Sequence, residues 1–168
     1  MKYSEGFHPK PKISFDNPIP IGIESLKEEL FLLVHKSVRH DKIVKALNSR
    51  LPEGVIINKY EEVLTLRSSD EKKIADYVIT LLNDFFDEKL LEDFKKSNEF
   101  FISVVNHKGK VKELDLKDMI FDLKLQTSNI LKLSIIGVRD KIIRPGQVLK
   151  NIFHMSDEQI KKAKVLKL

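Results

Sequence analysis

The hydrophobic positions in the first third of the chain predict two short strands around one helix. Residues 29–34 form an apolar run that is too short for a helix and is followed by polar residues, which favours a buried strand. Apolar residues within Lys42–Arg50 recur at helical spacing, and Asp41 stands where an N-cap is expected. Residues 52–54 (Pro-Glu-Gly) end this helix, and residues 55–57 (Val-Ile-Ile) begin the next strand.

A polar stretch at residues 67–73 is the best candidate boundary between two halves, and the pattern beyond it indicates a second set of strands. Residues 77–82 predict the first of these strands. The remaining strand features, in chain order, are a hairpin joining residues 100–105 to 110–114 around residues 107–109, a hairpin joining residues 121–126 to 130–136 around residues 127–129, and a closing strand at Val165, Leu166 and Leu168.

Helices alternate irregularly with these strands. Residues 85–96 have the pattern of an amphipathic helix, Asp115 suits the cap of a short helical turn, and Pro145 suits the first turn of another helix. Ser156-x-x-Gln159 matches a capping box that would start one more short helix. The side chains expected to be buried by the two longer helices are Phe86, Leu90, Leu91 and Phe94, then Val148, Leu149, Ile152 and Phe153.

This order of elements predicts an α+β fold made of two ferredoxin-like (βαββαβ-type) lobes with antiparallel sheets. The first lobe, residues 1–66, lacks the opening strand and helix of that unit. The second lobe, residues 74–168, has an additional hairpin. The regular helix–strand alternation of a parallel, doubly wound sheet is absent.

The first 25 residues have an unusual composition. Four of the six prolines lie between positions 9 and 20, where each fixes its own φ and favours extended geometry in the residue before it. Apolar residues largely alternate with polar residues or proline, which suits an edge strand or an irregular strand. Gly6 stands where a positive φ is expected, and His8, Lys10 and Lys12 share a parity that would place them on one face. The segment is either a structural lead-in or a binding surface.

Composition excludes several classes of protein. The 168 residues contain no cysteine, so a disulfide framework, a thiolate zinc site and a cysteine-held iron–sulfur cluster are all impossible. The chain has neither a signal-peptide pattern nor an apolar run long enough to cross a membrane, and we expect a cytoplasmic protein.

The net charge of +5 is concentrated at one end of the chain. Residues 1–138 carry 22 basic and 22 acidic side chains, whereas residues 139–168 carry eight basic and three acidic ones. Such asymmetry favours a polyanionic partner, although a solvated lysine-rich end would give the same composition. Arg144, Lys161 and Lys164 are the candidate anion-binding residues here, and Arg144 precedes a helix start, where an anion is also stabilised.

The sequence contains no motif that indicates catalysis. A phosphate-cradling glycine loop, Gly-x-Gly-x-x-Gly and a Gly-x-Ser-x-Gly elbow are all absent. The five histidines are scattered without the spacing of metal ligands, so we expect no cofactor and no tightly bound metal. An enzyme remains the least favoured class.

The opening segment resembles the bacterial radical SAM-linked proteins, whose domain of unknown function is fused to, or encoded beside, cobalamin-binding radical SAM proteins. Weaker similarity extends over residues 47–54 and 144–149. The resemblance implies an accessory chain, and Lys10, which is often histidine in relatives, argues against a His-Pro-His metal site. Relatives normally carry a strand and a helix upstream of Tyr3, so we expect either a shortened homologue or a late start, with an exposed sheet edge. The residues that carry the resemblance are Gly6, Phe7, Pro9, Pro11, Lys12, Ser14, Phe15, Pro20, Gly22, Glu24 and Ser25.

Two functional hypotheses follow. The first is a non-catalytic module that binds RNA, as an adaptor for a radical SAM partner acting on ribosomal or transfer RNA. The second is a protein-interaction or scaffold domain that docks a partner, or a second copy as a homodimer, through the exposed sheet edge. The candidate binding residues are Tyr3, Gly6, Phe7, His8, Lys10, Lys12, Arg144, Lys161 and Lys164.

Overall fold

The computed structural model describes residues 2–16, 18–35, 39–63, 72–105, 109–137 and 143–168. The chain divides into two compact units, of which the first comprises residues 1–18 and 28–67 and the second residues 19–27 and 68–168. Most of the predicted boundary at residues 67–73 lies outside the described residues. The elements, in chain order, are β1 (Ile13–Phe15), β2 (Ile23–Ser25), β3 (Leu30–Leu32), α1 (His40–Asn48), β4 (Lys73–Thr80), α2 (Glu88–Lys96), β5 (Phe101–Val105), β6 (Val111–Asp115), α3 (Leu116–Met119), β7 (Ile120–Thr127), β8 (Ile130–Gly137), α4 (Pro145–Ile152), α5 (Asp157–Lys162) and β9 (Lys164–Lys167).

The described part of the first unit contains a two-stranded antiparallel sheet, β1 with β3, and helix α1. The predicted helix is confirmed, but it begins at His40 and its N-cap is Arg39. Asp41 was therefore wrongly assigned as the cap. It lies in the first turn, where its carboxylate accepts from the Arg39 guanidinium at 3.1 Å, a position in which the helix dipole favours negative charge.

The strand predicted at residues 55–57 is wrong, because these residues form no strand. The side chain of Asn48 takes the place of a strand partner at Ile57. Its Oδ1 accepts from the Ile57 N–H at 2.8 Å, and its Nδ2 donates to the Ile57 carbonyl at 3.1 Å. One amide side chain thus satisfies both main-chain groups of this residue.

The second unit is a five-stranded sheet in the order β2-β9-β4-β8-β7. Strand β4 lies antiparallel to both β8 and β9, and β7 is antiparallel to β8. Strands β4, β7, β8 and β9 with helices α2 and α4 therefore have the connectivity of a ferredoxin-like βαββαβ unit. The β5–β6 hairpin is inserted between α2 and β7, as the additional hairpin predicted from the sequence. The α+β class with antiparallel sheets is confirmed.

Strand β2 joins this sheet from the opening part of the chain. Ile23, Glu24 and Ser25 pair in parallel with Val165, Leu166 and Lys167 of β9. The sequence had suggested only an edge or irregular strand in this region, without indicating its neighbour. The tail of the opening segment consequently belongs to the second unit, whereas residues 2–16 belong to the first.

The core of the second unit lies on one face of its sheet. Alternate residues of the two central strands, such as Ile79 and Leu133, are at most 1% exposed, and Val148 and Leu149 of α4 are fully buried. This matches the period of two expected for a strand and the apolar stripe predicted for the helix. Of the side chains predicted to be buried, Leu90 is only half-buried. Those confirmed as buried are Phe86, Leu91, Phe94, Val148, Leu149, Ile152 and Phe153.

The predicted hairpins and caps of the second unit are confirmed. β5 pairs with β6 and β7 with β8, although residues 106–108 of the first turn lie outside the described residues. Asp115 caps α3 by accepting from the Lys117 N–H at 2.9 Å. Ser156 and Gln159 form the capping box of α5.

Replacing Ser156 with alanine is expected to lower the free energy of unfolding by about 1 kcal/mol. The serine Oγ accepts from the Gln159 N–H at 3.2 Å, and alanine leaves that donor without its cap. Denaturant unfolding should show the loss as a lower midpoint at an unchanged m-value. Ser103→Ala, which makes the same change at an exposed position of β5, is the control and should stay within about 0.5 kcal/mol of wild type. Equal losses in the two variants would contradict the capping role.

Candidate functional site

A short loop near the start of the first unit, residues 4–10, is closed at its base by Ser4. The Ser4 N–H donates to the Lys10 carbonyl at 2.8 Å, and the Lys10 N–H donates to Ser4 Oγ at 3.0 Å. Tyr3 and Pro11 form an antiparallel bridge just below this closure. The Lys12 N–H donates to the Lys2 carbonyl at 2.8 Å, which extends the pairing. We call residues 4–10 the Ser4 loop.

The local sequence explains why the Ser4 loop takes this form. Gly6 has φ of +120°, a conformation that only glycine adopts readily, so the chain can reverse there. Pro9 in the loop and Pro11 directly after it fix their own φ on the returning side. The loop is thus restricted by its own residues as well as by the Ser4 hydrogen bonds.

The Ser4 loop projects an aromatic side chain into solvent. Phe7 is fully exposed and Tyr3, at the base, is 55% exposed. His8, Lys10 and Lys12 are exposed as well. The structure therefore brings all six N-terminal candidate residues into one short hairpin-like segment. The expectation that His8 continues an extended run with the two lysines is wrong, because the chain bends at residues 5–8.

The C-terminal candidates lie in the second unit and form a separate group. Arg144 is the exposed N-cap of α4, Lys161 is exposed on α5, and Lys164 is exposed at the start of β9. The first turn of α4 offers few donors to an anion. Pro145 has no N–H, the Arg144 N–H donates to Gln147 Oε1 at 2.8 Å, and the Gln147 N–H is bonded to the Arg144 carbonyl at 2.9 Å.

One of the basic side chains in the C-terminal region, Lys150, forms an ion pair within the protein. Lys150 Nζ lies 2.9 Å from Asp157 Oδ1 and joins α4 to α5. This hydrogen bond, together with the charges of Lys150 and Lys161, holds the pKa of Asp157 below its ordinary value. Arg144, Lys161 and Lys164 are exposed, so an external anion can reach them.

Many ferredoxin-like domains bind RNA on the sheet face opposite the core. In this protein that face has neither an excess of positive charge nor aromatic side chains on its central strands. Lys124, Lys132 and Lys164 share this face with Glu24, Asp76 and Asp122, as the strand registers show. The charges balance, and no aromatic side chain of β4, β8 or β9 lies on this face. Stacking of bases on the two central strands is therefore excluded as a binding mode.

Shallow clefts lie beside α5 and beside β7 in the described part of the second unit. One, of about 250 Å³, lies between the residues after β4 and α5 and is lined by Asp84, Gln159 and Lys162 among others. The Phe85 N–H and Gln159 Nε2, at 2.9 and 2.8 Å, donate to the Asp84 carboxylate and lower its pKa. The other cleft, of about 220 Å³, lies beside β7. Neither cleft is lined by a nucleophile that is hydrogen-bonded to a general base.

Metal ligation and membrane insertion find no support in the described parts of the chain. Their His, Asp and Glu side chains do not gather in groups of three or more that could hold a metal ion. None of their helices has the length and apolar character needed to cross a membrane.

Comparison with known proteins gives one finding. The model of a family described as "Uncharacterized protein conserved in bacteria (DUF2344)" matches residues 1–145. The matched region contains the Ser4 loop and Arg144, whereas Lys161 and Lys164 lie beyond it. No curated protein and no solved structure matches the chain.

Proposed function

The chain belongs to this family of uncharacterised bacterial proteins, and we propose that it acts as a non-catalytic module that binds single-stranded RNA through the Ser4 loop. The observation that carries the proposal is the fully exposed Phe7 at the end of a loop closed by its own hydrogen bonds. Covering this apolar ring with a partner would be favourable, because it removes apolar surface from water. Unstacked bases are such a partner, since each presents a π-face to an aromatic side chain.

The lysines around the Ser4 loop also favour single-stranded RNA as the partner. Lys10 and Lys12 are exposed on the returning side of the loop, and Lys2 is exposed on the outgoing side. Glu5 is the one acidic residue of positions 2–12, so the segment carries excess positive charge. Lysines beside an exposed aromatic supply phosphate contacts next to a stacking surface, which is the combination that binds single strands without strong sequence preference.

The C-terminal group supplies a second set of phosphate contacts in this proposal. Arg144, Lys161 and Lys164 are exposed, and the unit that contains them has a neutral sheet face. The contribution of this group is therefore electrostatic, without stacking. The two groups belong to different units, and separate variants test the contribution of each group to RNA binding.

The biological setting in this proposal is a radical SAM system. The resemblance of the opening segment to radical SAM-linked proteins supports it, and the absence of cysteine leaves the radical chemistry to another chain. The module would then hold a ribosomal or transfer RNA for a radical SAM partner.

Replacing Phe7 with alanine is expected to weaken the binding of single-stranded RNA without changing stability. Loss of one stacked base costs about 1–3 kcal/mol, so the Kd should rise roughly five- to 150-fold. Filter binding of a labelled oligoribonucleotide at several salt concentrations measures the change. Phe101→Ala is the matched control, because Phe101 is 59% exposed but lies on β5 in the second unit. An unchanged Kd for Phe7→Ala would remove the Ser4 loop from the RNA site.

The salt dependence of the same assay separates the two cationic groups. Each phosphate contact that is lost lowers the slope of log K against log salt by about 0.7 for a single strand. Lys10→Gln with Lys12→Gln should lower the slope by about 1.4, and glutamine at Arg144, Lys161 and Lys164 by roughly 2. An unchanged slope in the triple variant would identify its residues as a solvated lysine-rich end. Wild type that retains no RNA at low salt would overturn the whole proposal.

Protein docking is the second candidate, and the first unit supplies a specific observation for it. None of the described side chains of residues 2–16, 18 and 28–63 is buried, and several large apolar ones are exposed, including Phe15 at 58% and Ile56 at 70%. Such a surface is typical of a segment that completes its core against a partner. A radical SAM partner that binds the chain, and binds it less tightly after Phe15→Ser, would support this candidate.

A further inference from the structure

We infer that the outer edge of β7 pairs with the same edge of a second copy of this chain, forming a two-fold dimer centred on Leu123. Strand β7 is the last strand in the sheet order, and nothing in the described part of the chain pairs with its outer side. It is eight residues long, whereas β2 at the opposite edge has only three. An edge of this length presents unpaired main-chain donors and acceptors to another strand. The inference is independent of RNA binding.

The register follows from the charges of the edge. Asp122 and Lys124 lie on the helix-free face of β7 and are ion-paired with each other at 2.7 Å, where both remain partly exposed. In an antiparallel pair with the dyad at Leu123, Asp122 of each copy lies opposite Lys124 of the other. The two internal ion pairs of the two copies are then exchanged for two equivalent pairs across the interface, and opposite charges directly across strands are favourable.

Neighbouring registers are disfavoured by the same two residues. A dyad at Asp122 would place that carboxylate opposite its own copy, and a dyad at Lys124 would place two ammonium groups opposite each other. Like charges directly across a strand pair are destabilising. The edge is therefore self-complementary at Leu123 and self-repelling one residue to either side, which favours this register over its two neighbours.

The apolar face of the edge agrees with this register. Leu123 lies opposite Leu123 of the second copy, and half-buried Leu125 lies at the end of the regular edge, towards the bulge that carries Phe121 of the second copy. Phe121 is 65% exposed because a bulge between Ile120 and Asp122 displaces it from the ladder. It borders the cleft of about 220 Å³ beside β7, which gives apolar side chains of the second copy a place to pack.

The dimer is expected to be weak. A second irregularity between Leu125 and Thr127 limits the regular part of the edge to residues 122–125, and bulges restrict edge pairing. An interface built on so few residue pairs is smaller than the roughly 800 Å² per partner of a standard stable complex. Association should therefore depend on concentration and weaken as salt screens the two ion pairs.

Charge reversal at the edge tests the inference by analytical ultracentrifugation. Asp122→Lys and Lys124→Asp should each raise the dimer dissociation constant about tenfold or more, because each variant places two like-charge pairs across the interface. A one-to-one mixture of the two variants should associate as wild type does, since every 122–124 contact between unlike chains is then complementary. The variant carrying both reversals should self-associate again for the same reason.

Lys112→Asp is the control, since it makes the same charge change on exposed β6, outside the β7 edge, and should leave the dimer unchanged. Circular dichroism of each variant shows that the fold is retained. A wild type that stays monomeric at all accessible concentrations would overturn the inference. A dimer insensitive to either single reversal would place the interface elsewhere, and a mixture that fails to associate would exclude the proposed register.

Discussion

Phe94→Ala is expected to lower the free energy of unfolding by about 3–5 kcal/mol, a large fraction of the stability of a domain of this size. Phe94 is 5% exposed on the inner face of α2, and its ring meets Phe100 edge to face with centroids 5.3 Å apart. Lys117 Nζ lies 4.7 Å from the ring centroid, so a cation–π contact is lost as well. Alanine leaves a cavity that the surrounding helix and strands can fill only in part.

Chemical denaturation with far-ultraviolet circular dichroism measures this loss. Phe85→Ala is the matched control, because the same side chain is removed nine positions earlier where it is 71% exposed. The control should stay within about 0.5 kcal/mol of wild type. Comparable losses in the two variants would contradict the burial of α2 against the sheet.

The second large effect is expected at Ile79, which is fully buried in the central strand β4. Ile79→Ala should cost about 2–5 kcal/mol, since it removes three carbons from the middle of the core. Ile79 pairs with Leu131 on one side and Val165 on the other, so the cavity lies between three strands of the sheet.

Ile74→Ala on the same strand is the control. Ile74 has the opposite parity and is 50% exposed, so its truncation should cost well under half as much as that of Ile79. The comparison tests the register of β4, because a slip of one residue would exchange the faces and reverse the two results. Equal or reversed losses in denaturant unfolding would show that the sheet is registered differently.

Local signals in the sequence were sufficient for most elements of the second unit. Alternation of apolar residues in β4 and β8 places one set of side chains in the core, and this period of two is visible without any tertiary information. The caps at Asp115 and Ser156 were equally readable, because a capping side chain bonds to main-chain groups two or three residues away. The ferredoxin-like order of these elements then restricted the topology to few alternatives.

A contact from outside the segment accompanies the wrongly predicted strand. Residues 55–57 have the composition of a strand but form none, and Asn48, nine residues earlier, satisfies the main chain of Ile57. Propensity describes how well a residue fits a sheet, not whether a neighbouring strand is present. The error at the N-cap of α1 is local: the helix begins one residue before the predicted cap, and Asp41 forms an ion pair with Arg39.

For the candidate binding site, the sequence by itself determined the residues of the Ser4 loop, the glycine that permits its bend and the excess of charge at the C-terminal end. These depend on composition and on short-range conformational limits. Only the tertiary structure decided that Ser4 closes the loop and that Phe7 is fully exposed. It also decided that β2, near the start of the chain, pairs with β9, near its end. It further decided that the open sheet face is neutral and that Asp122 and Lys124 lie on the last strand of the described sheet. The sequence does not show this, because the neighbours of a strand depend on long-range pairing.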